Sequence, residues 1–270
     1  ADSYVVHAFK TADELKELFP DKRFEVIERG KEISGNGIKV LKLYHPVYDM
    51  FKPRPDFDIA QVKEEMGLKK NVFLFFGFIR KYKGLHNVIE AFAELAKKRN
   101  DVSLIICGES FWNTLDSNKL STRIKNITFG VAKKLFVKNQ DNEQDYNPLA
   151  LIDEFKIKDL VHLNNEFVPN EDVPKYFQVS DNIMLYYLTA TPSGVESIGY
   201  NFNMPMLATN VGHFPETVKD GYNGYMAQDG DIKSMTAAME KAIKKPINRD
   251  NVATTSKDMS WYNYANELLR

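Results

Sequence analysis

One cysteine, Cys107, in 270 residues leaves nothing for an internal disulfide to join, and its run "VSLIICGE" marks it as a small buried hydrophobe. That usage suits a reduced compartment. No stretch reaches the roughly 18 consecutive apolar residues of a membrane-spanning helix. The opening "ADSYVVHAFK" shows no basic-then-apolar signal pattern, so the cytoplasm is the expected location. Neither sign of charge dominates: 36 basic residues face 37 acidic ones, a net charge of −1. No global field recruits nucleic acid or anionic lipid, so no nucleic-acid partner is expected and charge-based recognition must be local. No G-x-G-x-x-G follows an early strand, which disfavours a dinucleotide oxidoreductase. His7, His45 and His86 lack metal-ligand spacing and no Asp-x-Asp pair stands at a metal-binding position, so neither metal nor cofactor is expected. Repeats and low-complexity tracts are absent.

What is present is the composition of a soluble globular protein, 43% hydrophobic and 27% charged. The run "VFLFF" (72–76) reads as a strand buried on both faces of a parallel sheet. After it, Leu85, Val88, Ile89, Phe92 and Leu95 recur at helical steps, with Glu90, Glu94, Lys97 and Lys98 on the opposite face. "VSLIICGE", "VHLNNEFVP", "DNIMLYYL" and "PMLATNV" supply further strands, the last being the final clear one. "NEDVPKYFQVS", "SGVESIGYNFN" and "DIKSMTAAMEKAIKK" supply helices between and after them. This alternation predicts an α/β fold, a doubly wound parallel sheet whose ligands sit at the carboxyl ends of the strands. Before it, "SYVVHAF" and "TADELKELFPDK" read as a strand and a helix, and "GNGIKVLKLY" as a loop entering a short strand. Pro46, Pro53 and Pro55 then mark a boundary between Tyr44 and Pro55. "INRDNVATTSKDM" reads as a loop ahead of a short amphipathic helix, "SWYNYANELL".

Gly77 ends the first buried strand and lets backbone approach a ligand. Arg80 and Lys83 follow over the same strand end, a planar guanidinium and an ammonium suited to clamping a diphosphate. A merely solvated basic loop is the competing reading of those residues. Ser193 and Gly194 stand where a helix begins, so the N–H groups of Gly194, Val195 and Glu196 face the ligand edge and favour an anion; Ser193 by itself reads as a plain N-cap, which it would be in either case.

Ser110 to Tyr146 is too long for a strand-to-helix loop and reads as an insertion. Its stretch 119–138 carries six basic residues, Lys119, Arg123, Lys125, Lys133, Lys134 and Lys138, and no acid, interleaved with apolar ones. That pattern suits peripheral contact with an anionic bilayer. A helical pair packed on its own domain with a basic rim is the preferred alternative.

The order "YHPVYDMF", "FFGFIRKYKG", "LIICGE", "FVPNEDVPKYFQVSD" and "TPSGVESIGYNFNMPMLATNVGHFPETVKDGYNG" resembles the nucleotide-sugar-binding half of family 4 retaining glycosyltransferases of the GT-B architecture, from about Tyr44 onward. The resemblance implies that Arg80 and Lys83 neutralise the donor diphosphate as the glycosyl bond breaks. It implies that the loop holding the nucleobase falls on Phe167 and Val168, with Pro169 where the family commonly has glycine. Ser193, Gly194 and Val195 match the helix start beneath the diphosphate. In "NVGHFPE", His213 replaces the second of two glycines. The family's glutamate pair is not intact: aligned from Pro192, Glu196 is the first member without a second, and aligned back from Pro205 the pair falls on Ala190 and Ile198. Glu196 remains a substrate-binding candidate.

The expected organisation is a last strand and helix of an acceptor-side domain over 1–44, a donor-binding domain over 45–255 with its insertion at 110–146, and a helix over 256–270 returning to the acceptor side. The chain is short for two facing Rossmann-like domains, so most of the acceptor side is expected to be absent. The function implied is transfer of a sugar from a nucleotide-sugar to an unidentified sugar, lipid or polysaccharide acceptor, with retention and without metal. A non-catalytic nucleotide-sugar-binding or scaffold module is the alternative.

Overall fold

The computed structural model describes residues 3–31, 35–110 and 146–269. The basic stretch 119–138, and nearly all of the insertion around it, lies outside the described residues. Two parallel sheets organise the described chain. The smaller contains β1 (Ser3–Val6), β2 (Phe24–Glu28) and β3 (Ile38–Lys42) in the order β1-β3-β2. Helix α1 (Phe9–Leu18) connects its first two strands. Strand β2 was not expected, because "FEVIE" is short, flanked by charges and mostly half-buried, so no apolar run announces it.

The larger sheet contains β4 (Asn71–Phe76), β5 (Val102–Cys107), β6 (Val161–Asn164), β7 (Asn182–Leu185), β8 (Met206–Thr209) and β9 (Gly224–Ala227). Its order is β6-β5-β4-β7-β8-β9, and every pairing is parallel. The chain therefore builds outward from β4 on one side, then returns to build outward on the other. The turning point lies between β4 and β7, the crevice where sheets of this kind bind ligands at the carboxyl ends of their strands.

Helices cover both faces, which is why the strands read as unbroken apolar runs. Within β4, Phe73 and Phe75 enter one core while Val72 and Leu74 enter the other. Burying each such side chain contributes roughly 1.5–3 kcal/mol of transfer free energy. The first core holds α3 (Leu85–Ala96) and, near the end of the chain, a thirteen-residue helix over Ile232–Lys244. The helices between and around them are α2 (Ile59–Glu65), α4 (Ala150–Glu154), α5 (Val173–Val179), α6 (Gly194–Asn201) and α7 (Phe214–Thr217). Ile232–Lys244 is then α8, followed by α9 (Arg249–Ser256) and α10 (Trp261–Leu268).

Two readings need correction. The stretch expected to be a loop after α8 is the helix α9: the Asn248 side chain caps it by accepting the N–H of Asp250 at 2.9 Å, and Val252 is fully buried. Its β-branched, polar sequence gives only a weak apolar stripe, so tertiary packing supplies what propensity does not. The sheet also continues past the strand read as the last clear one. Strand β9 opens with Gly224, where a Cβ would stand 2.2 Å from the Met206 carbonyl oxygen, so the residue that lets it pair closely is the one that hides it as a strand.

Candidate functional site

Gly77 adopts φ 91° immediately after β4, in the region that favours glycine. A Cβ there would lie 2.9 Å from Lys83 Nζ and 3.2 Å from Val195 Cγ2. Two residues expected at the site, Lys83 and Val195, thus converge from separate elements on a third, Gly77. Gly108, at the end of β5, packs on the other side, with its own Cβ position 2.1 Å from the Gly77 carbonyl oxygen.

From Gly77 the chain bridges to Ser110 through Ile79, extends at Arg80 and makes one 3-10 turn over Lys81–Lys83. Gly84 closes that turn in the left-handed region, φ 65°, pressed against the backbone of Tyr186. The N–H of Leu188 donates to the Tyr82 carbonyl at 2.7 Å. The basic turn is therefore held onto the end of β7, directly over the switch point, rather than waving in solvent. Lys83 is buried, and burial, with the positive charge of Arg80 second, pushes its ammonium down to about 8. The Tyr187 ring centroid lies 6.0 Å from Lys83 Nζ, and the Tyr82 ring centroid 5.7 Å from the Arg80 guanidinium carbon. Burying the Lys83 ammonium beside a second cation is unfavourable by itself.

Across the crevice, Ser193 occupies the N-cap position of α6 with extended backbone and no side-chain cap hydrogen bond. The first turn is left to other acceptors, at the positive end of the helix dipole. Gly194 packs against a neighbour that the sequence did not reveal: a Cβ there would lie 3.0 Å from the ring of Tyr48, in the linker before β4. Phe167 and Val168 follow β6 on the same sheet edge. Phe167 is 66% exposed, whereas the Val168 side chain is buried in the second core, so only its backbone can face a ligand.

Glu196 is placed differently from its neighbours. It is 5% exposed, and its carboxylate accepts a hydrogen bond from Thr217 Oγ1 at 2.5 Å and a short one involving His213 Nε2. It thus turns away from the open edge toward α7. Cys107 is buried as expected, and burial drives its thiol far up from the usual range. Among the described residues no three His, Cys, Asp or Glu side chains are grouped to hold a metal ion, and no helix is long and apolar enough to cross a membrane.

Solved structures share this fold. The chain superposes over its whole length on 62% of HepE from Anabaena, solved in complex with UDP and glucose, at TM-score 0.67 and 17% identity. It also superposes over 99% of its length on 57% of a sucrose-phosphate synthase from Thermosynechococcus elongatus, at TM-score 0.63 and 16% identity. At identities this low the superpositions show the fold alone, the GT-B, Rossmann-like architecture. Among curated proteins, spore coat protein SA of Bacillus subtilis (strain 168) is 22% identical over 240 residues, 85% of this chain and 55% of that protein. The chain spans little more than half the length of that relative. The profile of the glycosyl transferases group 1 family matches residues 56–259, which takes in both walls of the crevice, and the chain belongs to that family.

Proposed function

We propose that this chain is the donor-binding, C-terminal half of a retaining, family 4-type glycosyltransferase that moves a hexose from a nucleoside diphosphate to a sugar, lipid or polysaccharide acceptor. The observation that carries the reading is Lys83, a buried ammonium beside Gly77 and Val195 at the switch point, with Arg80 as its charged neighbour. A diphosphate between that pair and the first turn of α6 would meet two cations and a helix N-terminus.

In this reading the bond between the sugar's anomeric carbon and the β-phosphate oxygen breaks, and the diphosphate leaves with the bonding electrons. Arg80 and Lys83 stabilise the charge that develops there, so their effect is larger in the transition state than on the bound donor. The acceptor hydroxyl attacks from the face the nucleotide leaves, its proton passing to the departing phosphate oxygen, and configuration is retained. The two cations fill the charge-neutralising role that a metal fills elsewhere, and the nucleotide-sugar is a substrate rather than a cofactor. Phe167 and the backbone of Val168 would hold the base. The small sheet of β1 to β3 would belong to the acceptor side.

Binding of UDP is recorded for HepE, which makes UDP the first probe. Calorimetric titration of the chain with UDP, GDP and ADP should show one of them binding, with the affinity lost in both Arg80→Ala and Lys83→Ala. Binding that survives both substitutions would defeat the clamp. A non-catalytic nucleotide-sugar-binding module is the second reading, favoured by the burial of Glu196 in place of an intact glutamate pair. Donor binding without transfer to any acceptor, or hydrolysis, would select it.

A further inference from the structure

Glu196 sits at the third position of α6, where a glutamate commonly folds back on the N-cap N–H. Here the carboxylate reaches instead to His213, the residue before α7, and to Thr217, the last residue of α7. His213 is 2% exposed, and its ring packs 4.7 Å from that of Phe214. A second rung lies one turn along α6, where the Tyr200 hydroxyl donates to the Thr217 carbonyl at 2.8 Å. That carbonyl also accepts from Asn223 Nδ2 at 2.9 Å. Just before His213, Gly212 is left-handed, and its Cβ position is 1.9 Å from the Ala190 carbonyl oxygen, so this loop and the one leading into α6 are in backbone contact.

The space beside the pair is a cavity of about 10 Å³ lined in part by His45, Pro192, Ser197 and Tyr200. It is about large enough for one water.

We infer that Glu196 and His213 are positioning residues: their buried hydrogen bond, with that of Thr217, fixes the first turn of α6 so that its N–H groups stand at one phosphate of the donor. This rests on reading that turn as the diphosphate seat. Glu196 acts through the helix and touches no part of the sugar. In this reading a diphosphate has a second phosphate to place at the helix turn and a monophosphate does not, so loosening that turn costs the diphosphate more.

The test is the affinity ratio between a nucleoside diphosphate and its monophosphate, using whichever of UDP, GDP or ADP the wild-type chain binds. His213→Leu and Thr217→Val should each lower that ratio about tenfold, the scale set by losing one hydrogen bond to a charged group. His213→Gln, which can still donate to the carboxylate, should restore most of it. Hydrogen exchange at Gly194 to Glu196 should accelerate in the first two variants and return toward wild type in the third. An unchanged ratio in folded variants would overturn the inference. So would a loss confined to the gain of the sugar-nucleotide over the diphosphate, which would mark Glu196 as a sugar ligand. A wild-type chain that binds none of the three diphosphates would instead remove the seat itself.

Discussion

Glu216 accepts the backbone N–H of Phe9 with both carboxylate oxygens, at 2.9 and 3.1 Å, across 207 residues of sequence. Phe9 opens α1, whose N-cap residue Ala8 has no side-chain cap of its own. Lys42 Nζ lies 3.4 Å from the same carboxylate, 3.8 Å from the Tyr44 ring centroid and 4.6 Å from that of Phe9, with its side chain only 4% exposed. A residue of the larger unit thus caps a helix of the smaller one and neutralises a buried lysine there.

Glu216→Ala should cost about 1–3 kcal/mol, combining a lost helix cap with a buried lysine left unpaired. Glu216→Gln, which can still accept from Phe9, should recover part of that loss. Urea denaturation measures both variants, and hydrogen exchange at Phe9 to Ala12 should report the loss locally. Equal stability of wild type and the alanine variant would show that the cap contributes nothing.

Lys83 gives the site a pH signature. Its ammonium is pushed down from 10.5 to about 8 by burial and then by Arg80. Between those values the unfolded chain holds the proton that the folded chain has lost, so this residue makes stability rise with pH across that window. Below about 8 both states are protonated and the cost of the buried charge is fully present. A bound diphosphate needs the proton, so affinity should fall by up to about tenfold per pH unit above pH 8, with proton uptake on binding visible as a buffer-dependent enthalpy. Lys83→Met should remove both effects and stabilise the unliganded fold at pH 7 by about 1–3 kcal/mol. A pH profile shared by wild type and variant would assign the dependence to another group.

Two left-handed glycines should respond unequally to the same change. At Gly84 an added Cβ would stand 2.0 Å from the Tyr186 carbonyl oxygen, whereas at Gly221 nothing lies within 4 Å. Gly221→Ala should therefore cost only the conformational strain, about 1–2 kcal/mol. Gly84→Ala forces backbone apart at the switch point and should leave little folded protein. Thermal melts of the two variants side by side decide it, and similar melting temperatures would contradict the geometry.

Gly77→Ala tests the site more than the fold. The atom its Cβ meets first is the mobile tip of Lys83, which can shift, so the melting temperature should fall modestly, by roughly the 4 °C or so that 1–2 kcal/mol represents in a domain of this size. Diphosphate affinity should fall at least tenfold, because the ammonium is displaced from the crevice. Retained affinity in this variant would mean that the phosphates lie elsewhere on the sheet edge.

Much of this was legible in sequence order. The run over β4, the glycine after it and the cations after that are contiguous, and a strand buried on both faces can only be apolar, so local chemistry determined strand, turn and basic cluster together. The helical spacing after Lys83 and the glycine-led start of α6 are local in the same sense. What the chain could not announce depends on partners distant in sequence. Strand β9 is a strand because Gly224 fits against Met206, and α9 is a helix because packing buries Val252. Tyr48 could not be connected with Gly194 before folding brought them together.

Glu196 shows the division most clearly. Its identity and its place in the first turn of a helix were determined by sequence alone, and so was the oddity of His213 at a position where the family usually has glycine. Only tertiary structure decided that these two departures meet: 17 residues separate them, with β8 lying between, and a carboxylate buried there needs a donor within hydrogen-bond reach. Periodicity and propensity act over a few residues. Which buried polar groups satisfy one another is settled by how elements stack, and that stacking decided which way the Glu196 carboxylate turns.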